Sequence, residues 1–292
     1  MAQRVAGVYL ETGTVDTSPP FRYPRDMPPQ AMLFYPQGPR PEAVAAMVCQ
    51  ELGYRIVNDP AARFDIGMFW TTRTVRRPDA ALARCAASAP VLNFGCRDIG
   101  KRKVARVGHS VFGYSLSIDP RTHRGVSVRK SNLNATHDGV VVRCPVRRVD
   151  RSCVYERVVD NRVGNRVEDL RVPVFGDAIP FVLVGRKPVA RRFDCAIAPV
   201  LAETLDVLTA REVAGIRQFS RAMGLDYAEL DVLRDRADGR IFIVDANPTP
   251  WAPEVIPTRP FRAIDRLASA FDRLVRQTIA AGAATRARGA CA

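Results

Sequence analysis

Apolar residues in this chain first alternate between strand-like runs and helix-spaced stretches, then settle into longer β-prone segments. From Ala31, the run MLFYP is followed by a helical stretch from Glu42 to Leu52 and a second apolar run, YRIVND. FDIGMFW, a helical stretch from Asp79 to Ala87, and VLNFG come next. Strands alternating with helices predict a parallel sheet. A helical pattern then opens at Lys101 (Val104, Val107, Val111, Phe112), and the alternating GVSVRK ends at Lys130. The remainder reads as β-rich apart from two helices. One, Ala210 to Met223, repeats Val213, Ile216, Phe219 and Met223, and the other, Phe261 to Ile279, carries a core-facing stripe of Phe261, Ile264, Leu267, Phe271 and Leu274. Met1 to Gln30 is rich in Pro, Thr and Arg and is expected to be extended or partly disordered.

The most specific pattern is GLDYAELDVLRDRADGRIFIVDANPTP, from Gly224 to Pro250. Asp231 lies in an apolar run, Asp238-Gly239 is a turn signal, and IFIVDAN resumes a β-prone run, so the segment predicts a hairpin. Residues two apart on a strand share a face, which projects Asp245 and Asn247 together and lets Asp231 join them from the partner strand. Two carboxylates and an amide oxygen are the hard, all-oxygen set that Mg²⁺ accepts when substrate phosphates complete its shell. An ordinary hairpin with solvated acids has the same spacing, and spacing alone leaves both open.

A carboxylate on one strand, a turn, then an acid-x-Asn on the next resembles the metal-binding end of ATP-grasp ligases. The family's usual pattern is Glu-x-Asn, so Asp245 is a departure. Further elements resemble the family in its own order. Lys101, rather than its neighbour Lys103, fits the first nucleotide lysine, and Lys130 the second. SNLNATHDG follows Lys130, a small and polar loop containing Ser131, His137 and Gly139. CVYERVVDN resembles the adenine hinge, with Glu156, Arg157 and Val158 at the contact positions. Asp169-Leu170-Arg171 is similar to the Asp-Ile-Arg of the glutathione-synthetase-like and ribosomal-protein-modifying branch, where the acid holds ribose hydroxyls and the arginine faces the reacting phosphate. RRFDCAIAP replaces that branch's Asn- and Gly-containing loop, and Arg191 and Arg192 are anion-binding candidates there.

The resemblance implies an α/β (α+β) ATP-grasp fold. A small parallel α/β pre-grasp domain (31–98) is followed by a lid subdomain (99–157) and a C-terminal subdomain with the metal site and terminal helix (158–284). It implies ATP and Mg²⁺, expected as two ions, held by Asp231, Asp245 and Asn247. The reaction expected is ADP-forming ligation of a small-molecule or peptide carboxylate to an amine through an acyl phosphate, with Arg171, Arg186 and Lys187 as the catalytic cations. A small-molecule kinase on the same fold, or a non-catalytic nucleotide-binding protein, are the alternatives.

Composition narrows the classes further. At 292 residues and 47% apolar, the chain is globular, with room for two or three subdomains. A net charge of +14 suits nucleic acid, membranes or anionic substrates. However, the cations are spread along the chain, and no zinc spacing, recognition helix or aromatic-glycine RNA motif accompanies them, so nucleic acid is not the expected partner. Seven widely spaced cysteines read as thiols of a reducing compartment. With no apolar leader or membrane-length run, the cytoplasm is the default, and a homodimer is left open. There is no Ser-His-Asp order and no G-x-x-x-x-G-K-[ST] loop.

Overall fold

The computed structural model describes residues 30–136, 138–194, 199–251 and 260–289. The N-terminal segment up to residue 29 and His137 lie outside them. Strands β1 (Ala31–Pro36), β2 (Arg55–Val57), β3 (Ile66–Trp70) and β4 (Val91–Leu92) pair in parallel in the order β2-β1-β3-β4. Between them run helices α1 (Val44–Glu51) and α2 (Ala80–Ser88), the second opened by Asp79, whose carboxylate accepts the Leu82 N–H at 2.8 Å. Alternation along β1 sends Met32 and Phe34 into one core and Ala31 and Leu33 into another. Apolar residues on both faces are what a parallel sheet covered on both sides requires.

Helix α3 (Lys101–Phe112) follows, then a three-stranded antiparallel sheet of β5 (Gly125–Ser131), β6 (Val140–Cys144) and β7 (Cys153–Arg157), in the order β6-β5-β7. The largest sheet is antiparallel and contains β8 (Arg162–Val163), β9 (Arg166–Phe175), β10 (Val182–Pro188), β11 (Val200–Ala202), β12 (Tyr227–Arg234) and β13 (Ile241–Asn247). Its order is β11-β10-β9-β12-β13, with β8 paired to β9. Helices α4 (Thr204–Val207) and α5 (Ala210–Met223) lie between β11 and β12, and α5 starts on a Thr209/Glu212 capping box. It ends at Gly224, whose φ is +70° and where a Cβ would lie 2.5 Å from the carbonyl carbon of Gly95, so both conformation and space demand glycine.

Period-two alternation gives the large sheet one apolar and one polar face. Leu170, Val172, Leu230, Val232, Ile241 and Ile243 pack against α3 and α5 with Val104, Val107, Ile216 and Phe219. The helix expected over Phe261 to Ile279 is longer, α6 (Pro260–Gly289). Its Leu267, Phe271, Leu274 and Val275 join Met32, Phe34 and Val48 in a core with Phe175 and Tyr227 of the large sheet, so the end of the chain binds the first sheet to the last. Asn93, fully buried, reinforces that joint: its carboxamide accepts from the Asp226 and Tyr227 N–H groups and donates to the Tyr227 carbonyl. Trp70 is part of this core. No helix among the described residues is long and apolar enough to cross a membrane.

Candidate active site

The polar face of the large sheet and the inner face of the three-stranded sheet enclose a cleft of about 210 Å³. Strand register supplies its floor. Asp231 stands directly opposite Arg171 on β9 and opposite Asp245 on β13. Counting by twos from Ile241 and Ile243 would send Asp245 into the apolar core. A bulge breaks the count: Asp231 pairs with Asp245 while Val232 pairs with Ile243, so Val244 is the extra residue. Asp245 therefore lines the cleft and Ala246 takes the core position.

Charged residues expected from the sequence meet in this one cleft, among them Lys101, Lys130, Glu156, Asp169, Arg171, Asp231 and Asp245. Gly139, Arg157 and Lys187 line it too. Lys130 Nζ is 2.7 Å from Glu156 Oε2 and also donates to the Val244 carbonyl at 3.3 Å, tying the small sheet to the floor. Lys101 Nζ donates to the Leu133 carbonyl at 2.6 Å, and burial pulls its pKa down while Asp245 opposes that. Lys187 Nζ is 2.5 Å from Asp169 Oδ2, and Asp169 Oδ1 accepts from Asn161 at 2.9 Å. Arg171 reaches Glu229 at 3.5 Å and Asp231 at 3.8 Å.

Desolvation dominates the electrostatics. Asp231 is pushed up to about 6, chiefly by removal from bulk water, with Arg171 opposing and Asp245 adding repulsion. Its side chain is still 45% accessible, consistent with a group at the bottom of an open cleft. Glu229 is pushed up to about 7 by burial, again against the pull of Arg171. Glu156 is raised by burial against Lys130, and its Oε1 is buried without a hydrogen-bond partner. Carboxyls that must ionise in a water-poor cleft beside one another are a setting that a cation would relieve.

Other expected residues stand apart. Arg186 points away from Lys187 along β10 and is exposed, paired with Glu168 at 2.9 Å. Asn247 Oδ1 accepts from the Thr249 N–H and hydroxyl at 2.9 and 3.2 Å, closing a turn. The loop after Lys130 has its donors engaged within the protein. The Ser131 N–H goes to Asp138, the Leu133 N–H to the Ser131 hydroxyl and the Asn134 N–H to the Thr74 hydroxyl. At the hinge, the Arg157 N–H goes to the Leu116 carbonyl and its guanidinium to Asp235 at 3.1 Å, while Val158 is half-buried next to cleft-lining Val159. Arg191 pairs with Asp194 outside, whereas Arg192 lines the cleft and donates to Asn161 and the Val159 carbonyl.

Three contributors escape the motif reading. Asn161 orients Asp169 and Arg192 together. Asp138 is a carboxylate in a loop expected to receive anions. Glu229 is the third, and its signal was present, because E-L-D puts it on the Asp231 face.

Solved structures share the fold of this chain. The chain is similar to the ATP-grasp ligase PsnB complexed with a phosphomimetic variant of minimal precursor, Mg and ADP, at 12% identity, 87% of this chain, 100% of that chain and a TM-score of 0.56. PsnB complexed with precursor peptide PsnA2 and AMPPNP matches at 13% identity, 84% and 96% coverage and a TM-score of 0.55. D-cycloserine synthetase DcsG matches at 13% identity, 84% and 99% coverage and 0.52. At these identities the likeness is one of fold, and the chain has the ATP-grasp fold. No protein-family model matches the sequence, and no curated protein does.

Proposed function

We propose that this protein is a Mg²⁺-dependent, ADP-forming ligase that joins a carboxylate to an amine through an acyl phosphate. The observation that carries the reading is the convergence of Lys101, Lys130, Asp169, Arg171, Asp231 and Asp245 on one cleft between two sheets. Structures of the same fold in PsnB hold Mg with ADP and, in another, AMPPNP.

In this reading residues 31–98 are the pre-grasp unit, 99–157 the lid, and 158–284 the floor. The hinge at Glu156, Arg157 and Val158 takes adenine, and Asp169, exchanging Lys187 for ligand, takes ribose hydroxyls. Lys101 and Lys130 neutralise the α/β-phosphates, with Ser131, His137 and Gly139 on the loop above. Asp231 and Asp245 fit a hard cation, since they face each other across paired strands. Asn247 completes the set on release of Thr249. Among the described residues no three His, Cys, Asp or Glu side chains cluster tightly enough to hold a metal alone. Mg²⁺ needs only one or two carboxylates when phosphates supply the rest. Bound there, two ions would neutralise charge along the triphosphate.

The substrate carboxylate attacks the γ-phosphorus, ADP leaves, the amine attacks the acyl carbon, and phosphate departs. Arg171 and Lys187 stabilise charge on the transferring group. Arg186 contributes by closing on the site or not at all. The thiols fit a reducing compartment, and we place the protein in the cytoplasm. The test is ADP release across amino acids and small acids, with and without added amine. Release that needs both partners and yields free phosphate supports ligation, and a stable phosphorylated product makes the protein a kinase.

A further inference from the structure

Lysines and arginines occur along the whole chain, but the net charge is concentrated in one stretch of it. Residues 99–157, which form α3 and the three-stranded sheet, contain thirteen Lys and Arg against four Asp and Glu, a net +9 of the chain's +14. Glu156 is turned into the cleft, and the other three acids are already engaged. Asp119 is held by Arg121 at 2.9 Å, Asp138 by Ser131 and Thr136, and Asp150 by Ser152. Arg124, Arg129, Arg143, Arg147 and Arg148 are all exposed.

These arginines surround an open strand edge. β5 is the central strand of its sheet, and the outer side of β7 is covered, since the Ile118 N–H donates to the Tyr155 carbonyl and the Arg157 N–H to that of Leu116. β6 pairs with β5 alone among the described residues. Its sequence is VVVRC, with Val140 and Val141 exposed at 41% and 49% and Val126 on the neighbouring strand at 48%. Natural edges of this kind are guarded by charged side chains, proline or a covering element, because they template pairing with another chain. Here the guard has one sign. Register puts Arg129 opposite Val140, Arg143 opposite Val126, and Arg124 just before Gly125, which faces Cys144.

We propose that the free edge of β6 docks an extended acidic segment of a partner polypeptide, which adds a strand by main-chain pairing while its carboxylates meet the surrounding arginines. Strand addition supplies affinity through the backbone, and alternate side chains supply selectivity. Single-stranded nucleic acid fits this surface less well, because such sites stack bases on exposed aromatics. The lobe's aromatics pack inward: Phe112 and Tyr114 stack on each other, the Tyr114 hydroxyl donates to the Ile241 carbonyl, and Tyr155 is buried. The proposal does not depend on the ligase reading.

The test is fluorescence anisotropy of the full chain with a short labelled peptide of alternating Glu and Val. Arg143→Glu/Arg147→Glu/Arg148→Glu should weaken binding by about tenfold or more, whereas Arg211→Glu/Arg221→Glu on α5 should not, with both folds checked by circular dichroism. N-methylation of alternate peptide nitrogens should weaken it similarly, as should Gln in place of Glu. Unchanged affinity after N-methylation or after the triple reversal overturns the proposal. So does binding of single-stranded DNA or phosphatidylserine vesicles when the peptide fails to bind.

Discussion

On its helix side the large sheet presents Leu170, Val172, Leu230, Val232 and Ile243 to α3 and α5, while on its cleft side the same strands present Asp169, Arg171, Glu229, Asp231 and Asp245. The first face removes apolar surface from water and stabilises the fold. The second holds ionisable groups where water is scarce, and Glu229 and Asp231 titrate near 7 and 6 as a result. A sheet can carry such a face only because the other one is so well packed. The comparison locates packing on one side and the chemistry of the proposed reaction on the other, and substitutions should separate the two.

The largest effect should come from the packed face. Phe219 is fully buried, and Phe219→Ala should lower unfolding free energy by about 3 to 5 kcal/mol in urea titrations. Next, Asp231→Asn should raise the barrier to ADP release by about 3 to 4 kcal/mol, several hundredfold in kcat, while leaving the melting temperature unchanged or higher. If it unfolds the protein instead, the division between faces fails.

Glu229 tests the strain on the cleft face directly. Its carboxyl titrates near 7 when folded against an ordinary 4.5, so the folded state binds the proton more tightly. That contribution is fully present below about pH 4.5 and is lost as pH rises through about 7. Metal-free protein should therefore lose stability between about pH 5 and pH 8, and Glu229→Gln should remove up to about 3 kcal/mol of that slope in denaturation measured at both ends. A parallel slope in the variant would show that other groups cause it. The smallest effect belongs outside the cleft. Arg186→Ala breaks only an exposed pair with Glu168 and should change stability by less than about 1 kcal/mol.

Much of the packed face was legible in the sequence, because period-two runs and the Asp238-Gly239 turn specify the β12–β13 hairpin. The alternating strands and helices before Lys101 gave the parallel sheet for the same reason. The cleft was legible as a set of residues and much less as a geometry. Nothing in IFIVDAN announces the bulge at Val244 that turns Asp245 out of the core. The Lys187–Asp169 and Lys130–Glu156 pairs depend on register between strands that the sequence leaves free to slide. The loop after Lys130 reads as a set of donors from composition, and only the folded loop shows those donors closing on Asp138 and Thr74. Cations counted without the acids beside them likewise hide the net charge of one lobe, because residues 99–157 hold only four Asp and Glu.

Calorimetric titration of the full chain with AMPPNP, with and without MgCl₂, tests the central claim most directly. The account predicts one Mg²⁺-dependent site whose affinity falls at least about tenfold in Lys130→Ala and in Asp231→Asn, both still folded. Absence of binding by the wild-type chain, or binding indifferent to Mg²⁺ and to both substitutions, would contradict it.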